Sequence, residues 1–169
     1  MLDRIEVRKM LDRFGGNVVA KAKANFASKN ASGKGSKSIG YDVEVFKNSF
    51  SMVFEMEDYM EYQDKGVSGT ERKFKTPYRY TNKMPPPSAF DKWSIRRGLA
   101  GRDEKGRFLS RRSLNYALAM YIFKKGIRPS KFFTRAFGRE FKDLPDEIVE
   151  AYGLDVEKFM ASALNAKRT

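Results

Sequence analysis

The sequence predicts an α+β fold in which a small antiparallel β-sheet packs on an N-terminal helix. Apolar residues recur at spacings of three and four between residues 7 and 26, which is one face of an amphipathic helix. Between residues 38 and 57 the period changes to two on both sides of a polar turn, which predicts a β-hairpin with one apolar face. Further short helical patterns follow, together with residues 71–87, which have no regular period. We therefore expect more short helices and a long extended arm.

The N-terminal helix is the natural cover for the hairpin, because a sheet with one apolar face must bury it against another element. Gly15 and Gly16 interrupt the helical pattern, and each glycine costs about 1 kcal/mol relative to alanine in a helix interior. They predict either that two shorter helices meet there or that another backbone packs close. Residues 30–37 are rich in Gly and Ser and predict a flexible loop.

Length and composition limit the classes of protein. A chain of 169 residues, 41% of them hydrophobic, buries one core, so we expect a single domain over residues 1–169. No apolar run reaches the length of a membrane helix, and residues 1–6 lack the apolar core of a signal peptide. The chain has no cysteine and no histidine, which removes disulfides, the commonest general base and the usual zinc ligands. We expect a protein folded in a cytoplasm that is not an enzyme and needs no cofactor.

The best candidates for a metal site are two acidic residues in the first strand of the hairpin. Asp42 and Glu44 lie on the same face of that strand because its side chains alternate. A nuclease of the restriction-enzyme type needs the sequence Glu-x-Lys on the strand, but Lys47 lies one residue too far along. We therefore interpret both acids as the polar outer face of an ordinary strand and predict no metal and no catalytic residue.

Two neighbouring segments predict loops. Gly66 and Gly69 suit a tight turn over residues 64–70, and the turn lacks the Gly-Lys-Ser/Thr ending of a phosphate-binding loop. The arm at 71–87 interleaves cations with four large apolar residues: Phe74, Tyr78, Tyr80 and Met84. Such a segment can stack on single-stranded bases or lie on a neighbouring subunit with its aromatic residues as anchors, and we favour the second interpretation.

The chain carries 34 Lys and Arg residues against 21 Asp and Glu residues, a net charge of +13 that attracts polyanions. Ser88 begins a short helix on which Phe90 and Trp93 share a face, and a basic loop follows at 100–112. The basic residues around this loop are predicted to contact either nucleic-acid phosphates or acidic residues of a partner, and the sequence leaves both open: Arg96, Arg97, Arg102, Lys105, Arg107, Arg111 and Arg112.

Three helical patterns complete the chain. One begins at Ser110 or Ser113, with a predicted buried stripe of Leu114, Ala117, Leu118, Tyr121 and Ile122, and it ends at Gly126. Ser130 is predicted to cap the next helix, which holds four phenylalanines, more than one buried face requires: Phe132, Phe133, Phe137 and Phe141. We therefore expect some of them to contact a partner. A helical C-terminal segment spans 144–167, with a break near Gly153.

The order of these features resembles the head–tail joining and tail-completion proteins of tailed bacteriophages, of the kind grouped with the HK97 tail component. In that family a Tyr-x-x-(Tyr/Phe)-x-(Asp/Glu)-x-Gly stretch precedes a late Pro-x-x-Phe-(Phe/Leu)-x-x-(Ala/Pro) stretch. The residues that match the first are Tyr59, Tyr62, Asp64 and Gly66, and those that match the second are Pro129, Phe132, Phe133 and Ala136.

The resemblance implies a structural virion protein of the neck or tail, assembled in the host cytoplasm into a ring of sixfold or twelvefold symmetry around the DNA channel. Its partners would be further copies of itself, portal, adaptor or tail proteins, and the genomic DNA. Candidate interface residues are Asp64, Gly66, Gly69, Phe74, Tyr78, Tyr80, Met84, Trp93, Phe132 and Phe133. Two other functions remain open: a nucleic-acid-binding protein that uses residues 96–112, and, ranked last, a carboxylate-metal nuclease.

Overall fold

The computed structural model describes residues 4–29, 33–47 and 49–165, and it confirms the α+β class. Its α-helices are α1 (Arg4–Phe26), α2 (Lys34–Ser38), α3 (Tyr59–Lys65), α4 (Asp91–Arg96), α5 (Arg111–Lys125), α6 (Phe132–Lys142), α7 (Asp146–Ala151) and α8 (Val156–Asn165). The strands are β1 (Gly40–Val45) and β2 (Phe50–Glu55), and 3-10 turns occupy Ala27–Lys29 and Pro87–Phe90. Within the described residues no helix is both long enough and apolar enough to cross a membrane.

The chain divides into two compact units. The core unit comprises Met1–Glu57 and Lys131–Thr169, and the insert unit, Asp58–Ser130, lies between these two stretches in the sequence. The predicted single domain stays a prediction, since compactness alone does not decide whether the units fold together.

The core unit is built on α1, which runs without a break through Gly15 and Gly16. A Cβ atom at Gly15 would lie 2.5 Å from the Tyr41 ring of β1, so glycine is needed there for close approach. The Tyr41 hydroxyl donates a hydrogen bond of 3.0 Å to the Asp12 carbonyl, which fixes the strand on the helix. Of the two predicted alternatives the close packing is correct, and the partner is a side chain rather than a backbone.

The predicted hairpin is confirmed, with β1 and β2 antiparallel and in register from Gly40 opposite Glu55 to Val45 opposite Phe50. Val43, Met52 and Phe54 are buried on its inner face. Asp42 and Glu44 lie exposed on the strand, and no group of described acidic residues is placed to hold a metal ion.

Helix α6 corrects the prediction that its phenylalanines contact a partner. Phe132 and Phe133 are each 1% exposed, so both belong to the core of their own chain. They point in different directions around the helix, and each finds a ring of the core unit. Phe132 packs on Phe26 of α1 at 4.8 Å between ring centroids, and Phe133 packs on Phe54 of β2 at 5.2 Å. The helix holds more phenylalanines than one buried face needs because α6 is covered on more than one side.

At three places in the core unit the observed helix boundaries differ from the predicted ones or locate them more closely. The predicted flexible loop over 30–37 overlaps α2, which spans Lys34–Ser38, and residues 30–32 lie outside the described part of the chain. Helix α6 begins after Lys131, whose φ is +52°, and the predicted Ser130 cap is wrong because that hydroxyl donates to the Gln63 carbonyl instead. The predicted break in the C-terminal helical segment lies between α7 and α8, where Gly153 has a φ of +57°.

Candidate interaction surface

Charge and exposed apolar area are concentrated in the insert unit. It holds 17 of the 34 Lys and Arg residues but only 7 of the 21 Asp and Glu residues, a net charge of +10 against +3 for the core unit. Only three of its hydrophobic residues are buried, namely Met60, Val67 and Ala119. Eight of the ten large hydrophobic side chains that are exposed in the described structure belong to it: Tyr59, Tyr62, Trp93, Ile95, Leu99, Phe108, Tyr116 and Tyr121.

The insert unit is held together by a close crossing of two backbone segments. Val67 and Ile127 exchange both backbone hydrogen bonds, at 2.9 and 2.8 Å. A Cβ atom at Gly69 would overlap the Lys124 carbonyl, and one at Gly126, whose φ is +73°, would overlap the Val67 carbonyl. Glycine is therefore required at both positions because backbone meets backbone without room for a side chain.

The three candidate interface residues of this turn are buried at or beside the crossing. Asp64 is 5% exposed, and Gly66 and Gly69 are also buried. The prediction that they contact a neighbouring subunit is wrong, because their surroundings are filled by their own chain. Pro129 of the second family pattern packs where a Gly66 side chain would lie, so these two residues meet in space.

The first part of the arm is tied to the end of α5. The amide of Thr70 donates to the Phe123 carbonyl, and those of Glu71 and Arg72 donate to the Lys124 carbonyl, at 2.9–3.2 Å. These bonds satisfy carbonyls that the last turn of a helix leaves without partners. The Glu71 carboxylate also accepts hydrogen bonds from Lys125 and then Lys124, and these bonds hold the pKa of Glu71 below its ordinary value.

The arm continues along the turn that precedes it. The Ser68 amide donates to the Tyr78 carbonyl and the Tyr80 amide donates to the Ser68 carbonyl, both at 2.9 Å. The Ser68 hydroxyl bonds both backbone groups of Phe74. Residues 71–80 are thus hydrogen-bonded to their own unit, and that the arm also lies on a neighbour stays a prediction. Between residues 81 and 85 no backbone group bonds to any described residue, and only this part is extended in the predicted sense.

This packing forms a groove lined by four tyrosines, Tyr59, Tyr62, Tyr78 and Tyr80, which we call the tyrosine groove. Its volume is about 370 Å³, and its remaining lining residues are Gln63, Val67, Arg79 and Ile127. The rings of Tyr62 and Tyr78 meet edge to face at 4.7 Å between centroids. Burial raises the pKa of the Tyr80 hydroxyl. The sequence pointed to Tyr78 and Tyr80 through the arm and to Tyr59 and Tyr62 through the family pattern, but not to their meeting.

Helix α5 presents a face to the rest of its unit that differs from the predicted one. Asn115 and Ala119 are buried, whereas Tyr121 of the predicted stripe is 61% exposed. The Asn115 amide donates to the Asp91 carboxylate at 3.1 Å, and its oxygen accepts from the Ser94 hydroxyl at 3.2 Å. The predicted buried stripe of α5 was wrong because the hydrogen bonds of Asn115, rather than apolar packing, orient this helix. The predicted Ser110 cap and Gly126 end of α5 are both confirmed.

The Trp93 side chain is 41% exposed and makes an edge contact with Phe90, as the shared helix face predicted. Met84, at the end of the arm, is half-buried. Trp93 is the only residue among the predicted interface candidates that the structure leaves substantially exposed, since Phe74, Tyr78 and Tyr80 are half-buried.

The basic loop has a definite structure. Arg102 lies over the Phe108 ring at 3.9 Å and donates to the Gly106 carbonyl at 2.7 Å. Asp103 accepts hydrogen bonds from the amides of Lys105 and Arg107 and pairs with the Arg107 side chain. The loop ends earlier than predicted, because α5 begins at Arg111. All seven predicted contact residues are exposed: Arg96, Arg97, Arg102, Lys105, Arg107, Arg111 and Arg112.

The basic residues differ in their existing partners. Arg107 pairs with Asp103, and Arg111 lies 3.8 Å from Asp91. Arg96, Lys105 and Arg112 form no ion pair with any residue that the structure describes. Arg111 and Arg112 occupy the first turn of α5, which contains no acidic residue, although the helix dipole disfavours cations there. The loop and this first turn therefore offer positive charge that no described residue neutralises.

Comparison of the chain with family models, with curated proteins and with solved structures found no match. The resemblance to head–tail joining proteins accordingly stays a prediction.

Proposed function

We propose that the chain is a structural subunit of a ring in the neck or tail of a bacteriophage, where head and tail join around the DNA channel. One observation carries this proposal. The insert unit exposes eight large hydrophobic side chains while burying three, which is the composition of a unit completed by its neighbours.

A ring uses two different surfaces of each subunit, because each copy contacts the next in head-to-tail fashion. The insert unit offers two sets of exposed apolar residues on different elements. One is the tyrosine groove between α3 and the arm, and the other is Trp93 on α4 together with Tyr116 and Tyr121 on α5. Apolar residues on different elements are what a head-to-tail contact requires.

The charge of the insert unit supports a place beside DNA. A net charge of +10 on one unit favours a polyanionic neighbour, and a ring around the genome supplies one. In this proposal the further partners are portal, adaptor or tail proteins. The protein acts in the virion after assembly in the host cytoplasm, and the ring has sixfold or twelvefold symmetry.

The mass of the purified protein tests the proposal, measured at low and high salt with and without DNA. We expect a discrete ring-sized species that does not need DNA, either alone or after mixing with phage particles that lack the protein. A protein that stays monomeric under all these conditions and is not incorporated into particles would contradict the proposal.

A second function is supported by the basic residues that form no ion pair with any residue the structure describes. Arg112 at the start of α5 and Lys105 on the loop are placed to contact phosphates, and the exposed Phe108 ring is able to stack on a base. In that case the isolated protein binds nucleic acid with an affinity that falls steeply with salt. The double variant Lys105→Ala and Arg112→Ala would then reduce the salt slope by about two, because each phosphate contact contributes about one.

A further inference from the structure

The insert unit contains a proline-rich segment as well as an aromatic groove, and the segment does not occupy the groove. Residues 84–87 are Met-Pro-Pro-Pro, and none of them lines the tyrosine groove. The segment leads into the 3-10 turn Pro87–Phe90, which packs on α4 and α5. The groove and the triproline are therefore two separate features of each copy.

Pro86, in the middle of the triproline, has the conformation of a pre-ordered ligand. Pro86 is exposed and has φ −64° and ψ 131°, close to polyproline II geometry. Such a segment loses little conformational entropy when it binds, and its carbonyl oxygens are not used within its own helix. The carbonyls of residues 81–85 likewise accept no backbone hydrogen bond from the described structure. The segment presents the exposed ring of Pro86 and the carbonyls of Met84 and Pro85, whereas the Pro86 carbonyl already accepts a hydrogen bond of 3.0 Å from the Ala89 amide.

The tyrosine groove has the matching chemistry. Aromatic-lined grooves are the recurring receptors for polyproline II segments, because the rings pack on prolines while polar groups at their edges bind the carbonyls. Tyr59 and Tyr62 are each 43% exposed. Neither the Tyr62 hydroxyl nor the Tyr80 hydroxyl has a hydrogen-bond partner among the residues that the structure describes. Both are therefore available as donors to the carbonyls of a bound segment.

The proposed contact between like copies does not depend on attraction between charges. Two insert units, each carrying a net charge of +10, repel one another, so their association cannot rest on charge. Tyrosine and proline are uncharged, and packing between them is not weakened by salt. Arg79 at the groove and Lys83 before the triproline carry like charges, so salt should strengthen the contact by screening their repulsion.

We propose that the tyrosine groove binds the 84–87 segment of a second copy of this chain. The contact is heterologous: the groove of one copy receives the segment of the next, and each bound copy leaves one groove and one segment for further copies. Repeated in this way, the contact gives a ring if its rotation closes. That this contact builds a ring rests on the proposed function, whereas the identity of the segment bound in the groove does not.

The first experiment measures the ligand of the groove directly. A labelled peptide of residues 81–90 is titrated against the full-length Pro86→Ala protein, whose own segment competes poorly, and fluorescence anisotropy is recorded. We expect saturable binding that becomes roughly tenfold or more weaker when Tyr62→Ala is added, because an aromatic anchor is lost. Phe46→Ala is the control, since that ring is 49% exposed on the core unit and lies outside the groove, and it should leave binding unchanged. Circular dichroism checks that each variant is folded.

The same titration can overturn the proposal without relying on protein variants. A peptide in which the three prolines are replaced by alanine should bind roughly tenfold or more weakly, because it loses the polyproline II conformation. Equal binding of both peptides, or no saturable binding of the natural one, would show that the groove does not recognise the triproline.

The second experiment tests whether the contact joins copies. Sedimentation should show that Tyr62→Ala and Pro86→Ala proteins are each monomeric, while an equimolar mixture forms a dimer. The intact groove of one variant accepts the intact segment of the other, and the chain of contacts then stops. Rings formed by either variant alone would overturn this proposal and leave the ring function standing. Peptide binding by a wild-type protein that never assembles would overturn the ring function and support the groove assignment.

Discussion

The two units carry the same number of basic residues, 17 each, but they differ in almost everything else. The core unit holds 14 acidic residues and buries 18 hydrophobic side chains of its described part, whereas the insert unit holds 7 and buries 3. The first is organised by aromatic packing and the second by backbone hydrogen bonds around a glycine crossing. The difference indicates that stability is concentrated in the core unit and interaction in the insert unit.

The largest effect should come from removing a ring at the centre of the core unit. Phe137 is fully buried and contacts the rings of Phe14 and Phe159 at 5.2 and 5.4 Å. We expect Phe137→Ala to lower the free energy of unfolding by about 3–5 kcal/mol, measured by denaturant titration. Phe46→Ala is the control, because Phe46 is 49% exposed, and it should change stability by less than about 0.5 kcal/mol. Similar losses for both variants would remove the distinction between core and surface.

The next effect concerns the glycine crossing, which holds the insert unit together in place of a large hydrophobic core. Gly126→Ala forces a side chain into the Val67 carbonyl at a positive φ, so we expect a loss of more than about 2 kcal/mol. Gly106→Ala is the matched control: its φ of +78° is also positive, but it faces open space and should cost only about 1–2 kcal/mol. Equal losses, again from denaturant titration, would show that the crossing adds nothing beyond backbone conformation.

Trp93→Ala should separate assembly from folding. Since this side chain is exposed in the monomer, its loss should change the free energy of unfolding by less than about 1 kcal/mol. In the proposed ring it is covered by a neighbour, so the same variant should shift the assembled species toward monomer in sedimentation. A variant that unfolds readily, or one that assembles like the wild type, would move Trp93 out of the predicted interface.

The smallest effect should be a pH dependence at the link between the arm and α5. The hydrogen bonds from Lys125 and Lys124 lower the pKa of Glu71 in the folded state. The stability that this carboxylate contributes is therefore present at neutral pH and is lost as the pH falls through its lowered folded pKa. Glu71→Gln should unfold at a slightly lower temperature than wild type at pH 7, and the difference should vanish in acid. A difference that persists in acid would mean that charge is not its cause.

The sequence predicted correctly the elements that are set by local residue patterns. It missed the features that are set by contacts with residues distant in the chain. Helix α1, the hairpin and the two ends of α5 follow from periodicity, the Ser110 cap and the Gly126 stop. The buried face of α5 did not follow, because it is set by hydrogen bonds of Asn115 to residues 91 and 94.

Prediction from the sequence had the same limit at the candidate interaction surface. The residues of the tyrosine groove come from 59–67, 78–80 and 127, and these stretches are brought together by the glycine crossing and by the hydrogen bonds of Ser68 to Tyr78 and Tyr80. Phe132 and Phe133 looked like surplus apolar residues because periodicity counts one buried face, whereas α6 is covered from several directions. The exposure of the basic loop could be anticipated, since it lies on no helix pattern that needs burial.

Amide hydrogen exchange, measured on the monomer and on the assembled species, tests most directly whether the insert unit carries the contacts between copies. The account predicts that assembly slows exchange within residues 58–130, above all near the tyrosine groove and residues 81–90, and leaves α1, the hairpin and α6 unchanged. New protection confined to the core unit would contradict it, because the surface that joins copies would then lie where the chain already buries its apolar residues.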